Sequence, residues 1–401
     1  MNASKGYRWL EQTPVLLVVG LVTARLIALL SAPFEALRGS GDFLHYFLVY
    51  GLSGWPVLDY WIEYPPVFPY LSALLVRISG GQEHVFYYLL NFLLILADAG
   101  SLYLFTRLAA RNFAPRDGLM RAGVYLLMMV SLPYFWWYFD PLVAFFLLLG
   151  LYLLLEGHAV KAGAALGMGI AMKFFPLIAV AAAWGRYSWK KLAALAAASL
   201  ALVVILYAAF WIVSPEFTQA SLRSQAGKGS WESVWALVDG NIGTGSFGPA
   251  EERLDPALAG VSQRNPAVVP PLASLAVFGA IGLWGLYRYK AQSGAPDERR
   301  SLALVGFAWS LFVLWSPGWS PQWVLYLSPL ILLALPQRQA YLFTVVLVFV
   351  NLLEWPVMLS RGMFWGLWIT IPLRTLMLGV LAFAFYSVML GKEQPVRGAG
   401  V

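Results

Sequence analysis

Apolar runs long enough to cross a bilayer recur along this 401-residue chain, and that repetition leaves few folds open. A hydrocarbon core about 30 Å thick needs about 20 apolar residues in a helix, and only helices and closed barrels satisfy their backbone inside it. The runs are too long for transmembrane β-strands of about 9–11 residues, and none alternates as a barrel strand does. Only 12% of residues are charged, against about 25% in a soluble domain. The expected fold is all-α: one integral membrane domain over residues 1–401, a polytopic transmembrane bundle. It counts about twelve helices if a broken hairpin is taken as two.

The first apolar segment, 14–31, follows Lys5 and Arg8 as a signal peptide would. It has no Ala-x-Ala site and further helices follow, so it reads as a retained helix. The absence of cysteine excludes disulfides and thiolate metal sites. The formal charge of +7 does not point to nucleic acid, because most of the 27 basic residues sit in short connectors.

Those connectors set the expected topology, since Lys and Arg stay on the cytoplasmic side of short loops. Arg107, Arg111, Arg116 and Arg121 flank one connector; Arg186, Lys190 and Lys191 another; Arg288, Lys290, Arg299 and Arg300 a third. Lys5, Arg8, Lys161, Arg338, Lys392 and Arg397 fall on the same side, which puts both termini in the cytoplasm. Helices are then expected over 84–106, 119–137, 141–156, 191–213, 266–287, 301–316, 321–336, 340–358 and 367–390. Residues 33–83 and 214–265 become large external elements. Residues 67–79 are too short to cross and lie in the interface. Residues 163–185 begin and end near cytoplasmic charges and carry Lys173 and Pro176 between them, so they read as a hairpin that enters and turns back. With short inner loops and elaborate outer ones, chemistry is expected outside, in a multi-pass protein of the cytoplasmic (inner) membrane.

The first external element gathers acids, prolines and aromatics where an anchor would carry a short polar turn. Asp42, beside His45, Tyr46 and Tyr50, reads as a general base raised by desolvation, or as the N-cap of a helix over 43–50. Glu63 and Tyr64 precede Pro65-Pro66, a rigid corner that would hold both in place without a lid; Glu63 could equally be solvated at the start of the interfacial helix. Asp59 reads as a turn residue. Asp140, in Phe139-Asp140-Pro141, is either a helix start or a site acid on the face of Asp42. Lys173 is a costly placement, about 2.5–3.5 kcal/mol within an apolar segment, and would suit an anionic lipid headgroup unless it snorkels to a surface. Arg361, Arg223 and Lys228 are further phosphate candidates, each otherwise a surface charge. Arg25 and Arg374 lie inside helices and read as internal ion-pair or snorkelling groups.

In the second external element, Trp231, Glu232 and Trp235 precede a glycine-rich run over 239–245 that lacks the Gly-Lys-Ser/Thr end of a Walker loop. Trp with Glu232 and Asn241 would make a sugar-binding surface or a structured turn. The turn Ser316-Pro317-Gly318-Trp319-Ser320-Pro321-Gln322-Trp323 offers Gln322 to a ligand. Only His45, His84 and His158 are present, without a His-x-x-x-His pair, so a zinc site is not expected. Asp and Glu clusters could hold Mg²⁺ or Mn²⁺ weakly.

These motifs resemble the GT-C superfamily of membrane glycosyltransferases. The resemblance lies in an aspartate after the first helix, Tyr64-Pro65-Pro66 in a long external loop, and Phe139-Asp140-Pro141 before a helix. It continues in the run from Gly167 to Pro176 and in Ser320-Pro321-Gln322-Trp323. The sequence is most similar to the bacterial, GT87-like branch of polyprenyl-phosphate-mannose-dependent mannosyltransferases. That resemblance implies a polyprenyl-phosphate-linked sugar donor, a lipid or glycan acceptor, and inverting transfer on the non-cytoplasmic face. No cofactor is then required, because a lipid phosphate is already a leaving group. The resemblance makes Asp42 the general base, Tyr64-Pro65-Pro66 a scaffold, and Lys173 a group near the lipid donor. Gly41-Asp42-Phe43 departs from the Asp-x-Asp form of some relatives, which argues against a two-carboxylate metal site. No histidine follows His158, so a late phosphate-binding histidine would have to be replaced, for example by Arg361. A transporter or flippase would also explain Lys173 and the broken segment, but explains the two large external elements less well.

Overall fold

The computed structural model describes residues 3–38, 41–243, 248–261, 264–291 and 297–391. Thr244 and Gly245, which close the glycine-rich run, and the terminal Lys392 and Arg397 lie outside the described residues. The described chain is helical, with isolated bridges at Pro56–Tyr60 and Trp231–Gly318 in place of strands.

Among the described residues six helices are long and apolar enough to cross a membrane: Thr13–Ser31, Glu83–Asn112, Trp189–Val213, Pro271–Lys290, Gln337–Arg361 and Phe364–Met389. Val67–Ile78, Asp140–Leu155, Ala159–Ile170 and Pro321–Ala334 are shorter apolar helices. The chain is a multi-pass membrane protein. The expected count of about twelve helices blurs into this mixture of long spans and short pieces, because runs break at prolines such as Pro176 before completing a span.

The short connectors converge on one end of the bundle. Arg111 pairs with both Glu156 and Glu298. Arg121 donates to the Leu335 carbonyl at 3.0 Å, and Arg299 to that of Ala334 at 2.7 Å. The broken hairpin starts at this end. Ala159–Ile170 runs up to a non-helical apex at Lys173, and a 3-10 segment, Phe175–Ala183, descends, so that Tyr187 donates to the Leu154 carbonyl at 2.6 Å. Pro176 accounts for the break: its ring clashes with a helical preceding turn, and it has no N–H to donate. The ascending arm packs on Trp189–Val213 through Gly163 and Gly167, where a Cβ would meet the Leu195 carbonyl at 2.6 Å and that of Ser199 at 3.0 Å. This is the small-xxx-small contact of membrane helices.

Arg25 and Arg374 are internal ion-pair groups. Arg25 lies 3.3 Å from Asp98 and donates to the carbonyls of Met129 and Phe135 at 2.9 and 2.8 Å. Arg374 pairs with Glu354.

At the opposite end, the two elements that the charge pattern expects to be external are locked together. The first holds Phe43–Tyr50 and the amphipathic Val67–Ile78; the second holds Pro215–Ala226 and Val234–Asp239. Trp61 is the clasp: its backbone N–H donates to the Arg253 carbonyl at 3.0 Å and its indole to the backbone carbonyls of Glu252 and Asp255 at 3.1 and 3.0 Å. The Ile62 N–H donates to Ser221 Oγ at 3.0 Å, and Ser224 Oγ donates back to the Ile62 carbonyl at 2.8 Å. Asp59 accepts from the Trp55 N–H at 2.6 Å, which is a turn role.

Candidate functional site

Between the two external elements and the hairpin apex lies a cavity of about 870 Å³. That is within the range of about 300–1,000 Å³ usual for ligand sites. Residues singled out in the sequence line it, among them Asp42, Glu63, Tyr64, Lys173, Lys228, Glu232 and Gln322.

Asp42 stands at the first turn of Phe43–Tyr50, yet its side chain makes no capping bond. Instead its Oδ2 accepts from the Tyr46 hydroxyl at 3.2 Å, and its N–H donates to the Trp137 carbonyl at 3.1 Å. Glycine precedes it because a Cβ on Gly41 would fall 2.2 Å from the Trp137 Cβ. Burial raises the Asp42 carboxyl above its ordinary value; His45, Lys228 and Lys173 oppose that rise.

Glu63 has both oxygens engaged, Oε1 with His45 Nε2 at 2.8 Å and Oε2 with Arg253 at 3.3 Å. Burial alone would raise its carboxyl, but His45, Lys228 and Arg253 overcome it and hold it at about 2. His45 moves the other way: burial favours its neutral form, and the charges of Glu63 and Asp42 outweigh that and raise it. Glu63 is therefore a fixed anion bridging the two external elements. Tyr64 packs edge-on to Phe139 at 5.1 Å. After the Pro65-Pro66 corner, the Val67 N–H donates to the Ala171 carbonyl at 2.9 Å, which seats the corner on the hairpin apex.

Lys173 sits at that apex rather than deep within a span. Its Nζ donates to Asp140 Oδ1 at 2.8 Å and lies 5.3 to 5.8 Å from the rings of Phe139, Phe175 and Tyr64. Asp140 is fully buried, also accepts from Tyr326 at 2.5 Å, and does not line the cavity. The two form one ion pair, brought together across 33 residues, with Lys173 on the cavity side and Asp140 behind it. Lys228 also lines the cavity, 4.9 Å over the Trp231 ring, and among the described residues no carboxylate pairs with it.

Glu232 is 5% exposed, and burial pushes its carboxyl up to about 7 against Arg374, Lys228 and Arg264. Its segment docks on the turn over 316–323. The Trp231 indole donates to Ser320 Oγ at 3.1 Å, and a Cβ on Gly318 would fall 2.2 Å from the Trp231 ring. Asp239 and Asn241 are absorbed in a structured turn: Asp239 accepts from Ser230 at 2.7 Å and from the Val268 N–H at 2.7 Å, and Asn241 donates to Ser230 at 2.8 Å.

Arg223 and Arg361 do not line the cavity. Arg223 is exposed and donates to the Pro256 carbonyl at 2.6 Å, tying down the second external element. Arg361 is exposed in the turn before the last span. Arg253 escaped the sequence reading, because Glu251-Glu252-Arg253 looks like a solvated charge cluster; its guanidinium is buried, 4.1 Å over the Trp61 ring. Tyr138, Trp315 and Trp355, which carry no motif that would mark them in the sequence, add to the wall. Among the described residues no group of three or more His, Asp and Glu side chains converges as a metal site.

A helical membrane bundle with acids, lysines and tryptophans around one cavity is the class this site defines. Residues 61–317, more than half of the chain, match Glycosyltransferase family 87. The chain belongs to that family, and the GT-C resemblance read from its motifs holds at that level. No curated protein matches the sequence. Among solved structures, the apo oligosaccharyltransferase of Archaeoglobus fulgidus is similar at 13% identity and a TM-score of 0.42, over 94% of this chain and 56% of that one. This chain thus spans little more than half the length of that protein. Apo ArnT from Cupriavidus metallidurans is similar at 15% identity and a TM-score of 0.36, over 97% of this chain and 77% of that one.

Proposed function

We propose that this protein transfers a sugar, mannose by its resemblance, from a polyprenyl-phosphate donor to a lipid or glycan acceptor, with inversion and with Asp42 as general base. The observation that carries the reading is the cavity itself, which sets a raised carboxylate, Asp42, opposite cations in a wall rich in tryptophan. Asp42 takes the proton of the acceptor hydroxyl as that oxygen attacks the anomeric carbon. The bond from that carbon to the donor phosphate breaks, and the lipid phosphate leaves with the electron pair. A single displacement inverts the centre.

Charge developing on the leaving phosphate needs a cation that is not already neutralised. Lys228 meets that condition better than Lys173, which Asp140 holds. Lys173 then shapes the floor beside the phosphate, and Glu232 and Gln322 hydrogen-bond sugar hydroxyls. Trp231 and Trp323 would meet the apolar ring faces. Phe174 and Leu177, each 41% exposed, continue the wall toward the bilayer and would accept the start of the prenyl chain. The clustering of basic connectors at the other end supports a cavity facing outward from the inner membrane, with both termini cytoplasmic.

The test uses purified protein with a panel of radiolabelled polyprenyl-phosphate sugars and a crude lipid and glycan extract. Polyprenyl-phosphate-mannose is expected to be the donor. Lys228→Met should raise its KM and lower kcat/KM about 10- to 100-fold, the effect of losing one charge-stabilising contact. Equal kinetics for Lys228→Met would remove Lys228 from phosphate binding, and absence of transfer from every lipid-phosphate sugar would defeat the reading.

A further inference from the structure

Glu232 adopts a left-handed backbone, φ 50°, in a segment that is otherwise tightly pinned. The Trp231 N–H donates to the Pro317 carbonyl at 3.2 Å, the Trp319 N–H to that of Trp231 at 2.9 Å, and Ser233 Oγ to Pro317 at 2.5 Å. A non-glycine residue stays in that region only where its surroundings over-determine it, and such residues gather at functional sites. The remaining restraint comes from inside the bundle: Arg374 of the last span donates to the Glu232 carbonyl. Arg374 is 1% exposed, pairs with Glu354, and lies 4.6 Å from the Trp319 ring. Ionisable groups within membrane spans are expensive and mark functional positions, and a buried ion pair stabilises no more than apolar side chains of equal volume. Fold stability is therefore weak ground for keeping Arg374 and Glu354 inside the bundle.

We propose that Arg374 is a positioning residue for Glu232: shared between Glu354 and the Glu232 carbonyl, it holds the turn that aims the Glu232 carboxyl into the cavity and stands beside that carboxyl as its counter-charge. Which ligand Glu232 meets rests on the sugar-transfer reading; the holding arrangement does not. The charged groups facing Glu232 are Arg374, Lys228, Arg264 and Asp42. Arg374 acts on it most strongly after burial, so removing Arg374 strips the largest opposition to protonation.

The test is labelling of the full chain in detergent with dicyclohexylcarbodiimide, which modifies protonated carboxyls in apolar surroundings, read at Glu232 by peptide mass spectrometry across pH. Half-maximal labelling should lie near pH 7 in the wild type. It should rise in Arg374→Met, return toward wild type in Arg374→Lys, and fall in Glu354→Gln, which leaves Arg374 to Glu232 alone. A merely structural role would open the turn to water and move the half-point down toward 4.5 in every variant. A half-point that is unchanged or lower in Arg374→Met overturns the proposal. In the transfer assay, Arg374→Met and Glu232→Gln should each raise KM for the same substrate about tenfold, with the double variant no worse than either. Losses that multiply would also overturn it. A wild type that transfers no sugar would sink the sugar-transfer reading, and the labelling would still decide the role of Arg374.

Discussion

Asp42 and Glu63 sit in one loop and are shifted in opposite directions, because burial wins at the first and neighbouring cations at the second. Asp42 is raised by burial, whereas Glu63 has His45 and Arg253 on its two oxygens and is held at about 2. The Glu63–His45 pair makes the stability of the external end depend on pH in a bounded window. The depressed carboxyl contributes stability that is present above its ordinary 4.5 and is lost as pH falls through about 2. The raised imidazole contributes stability that is fully present below its ordinary 6.5 and is lost as pH rises through its raised value. Glu63→Gln should therefore lower unfolding stability by about 1.5–3 kcal/mol between those limits, the worth of a hydrogen bond to a charged group. The deficit should shrink at alkaline pH. Thermal unfolding in detergent across pH checks this, and a deficit independent of pH would refute the pairing as the cause. The sequence made Asp42 and Glu63 visible through their Pro and aromatic neighbours. It could not show that Glu63 is a bridge, because its partner Arg253 lies 190 residues away.

The broken hairpin was legible from Lys173 and Pro176 in an apolar run flanked by basic connectors, and its apex falls where those residues put it. The depth of Lys173 was not legible: composition gives an apolar segment, and only the fold shows that its break meets the N-terminus of Asp140–Leu155. Asp140 at that helix start could be read as a cap or a site acid, and its use as the Lys173 counter-ion depends on helix packing. Asp140→Ala should cost about 3–5 kcal/mol, because it leaves a buried ammonium unpaired. Asp140→Leu combined with Lys173→Met should recover much of that loss, since apolar replacement of both partners is close to neutral. Unfolding measurements on the three proteins decide it. A single variant within about 1 kcal/mol of wild type would show the pair to be solvated.

Taken whole, the molecule has a cytoplasmic-type end, where Arg111 gathers Glu156 and Glu298, and an opposite end built from the two external elements around the cavity. The absence of cysteine makes this polarity directly measurable. Leu258→Cys, in the second external element, should react with a membrane-impermeant maleimide in intact spheroplasts. Lys161→Cys, near the inner end of the hairpin, should react only after permeabilisation. The reverse pattern would place the cavity on the cytoplasmic side. Overall class was readable because bilayer thickness acts along the sequence; the cavity was not, since its walls come from segments spread from Asp42 to Trp355. The most direct test of the account is transfer of radiolabelled mannose from polyprenyl-phosphate-mannose by purified wild type and by Asp42→Asn, with donor binding measured alongside. The account predicts that Asp42→Asn still binds donor and transfers about 10²- to 10⁴-fold more slowly, the usual loss of a general base. Undiminished transfer by folded Asp42→Asn would contradict it.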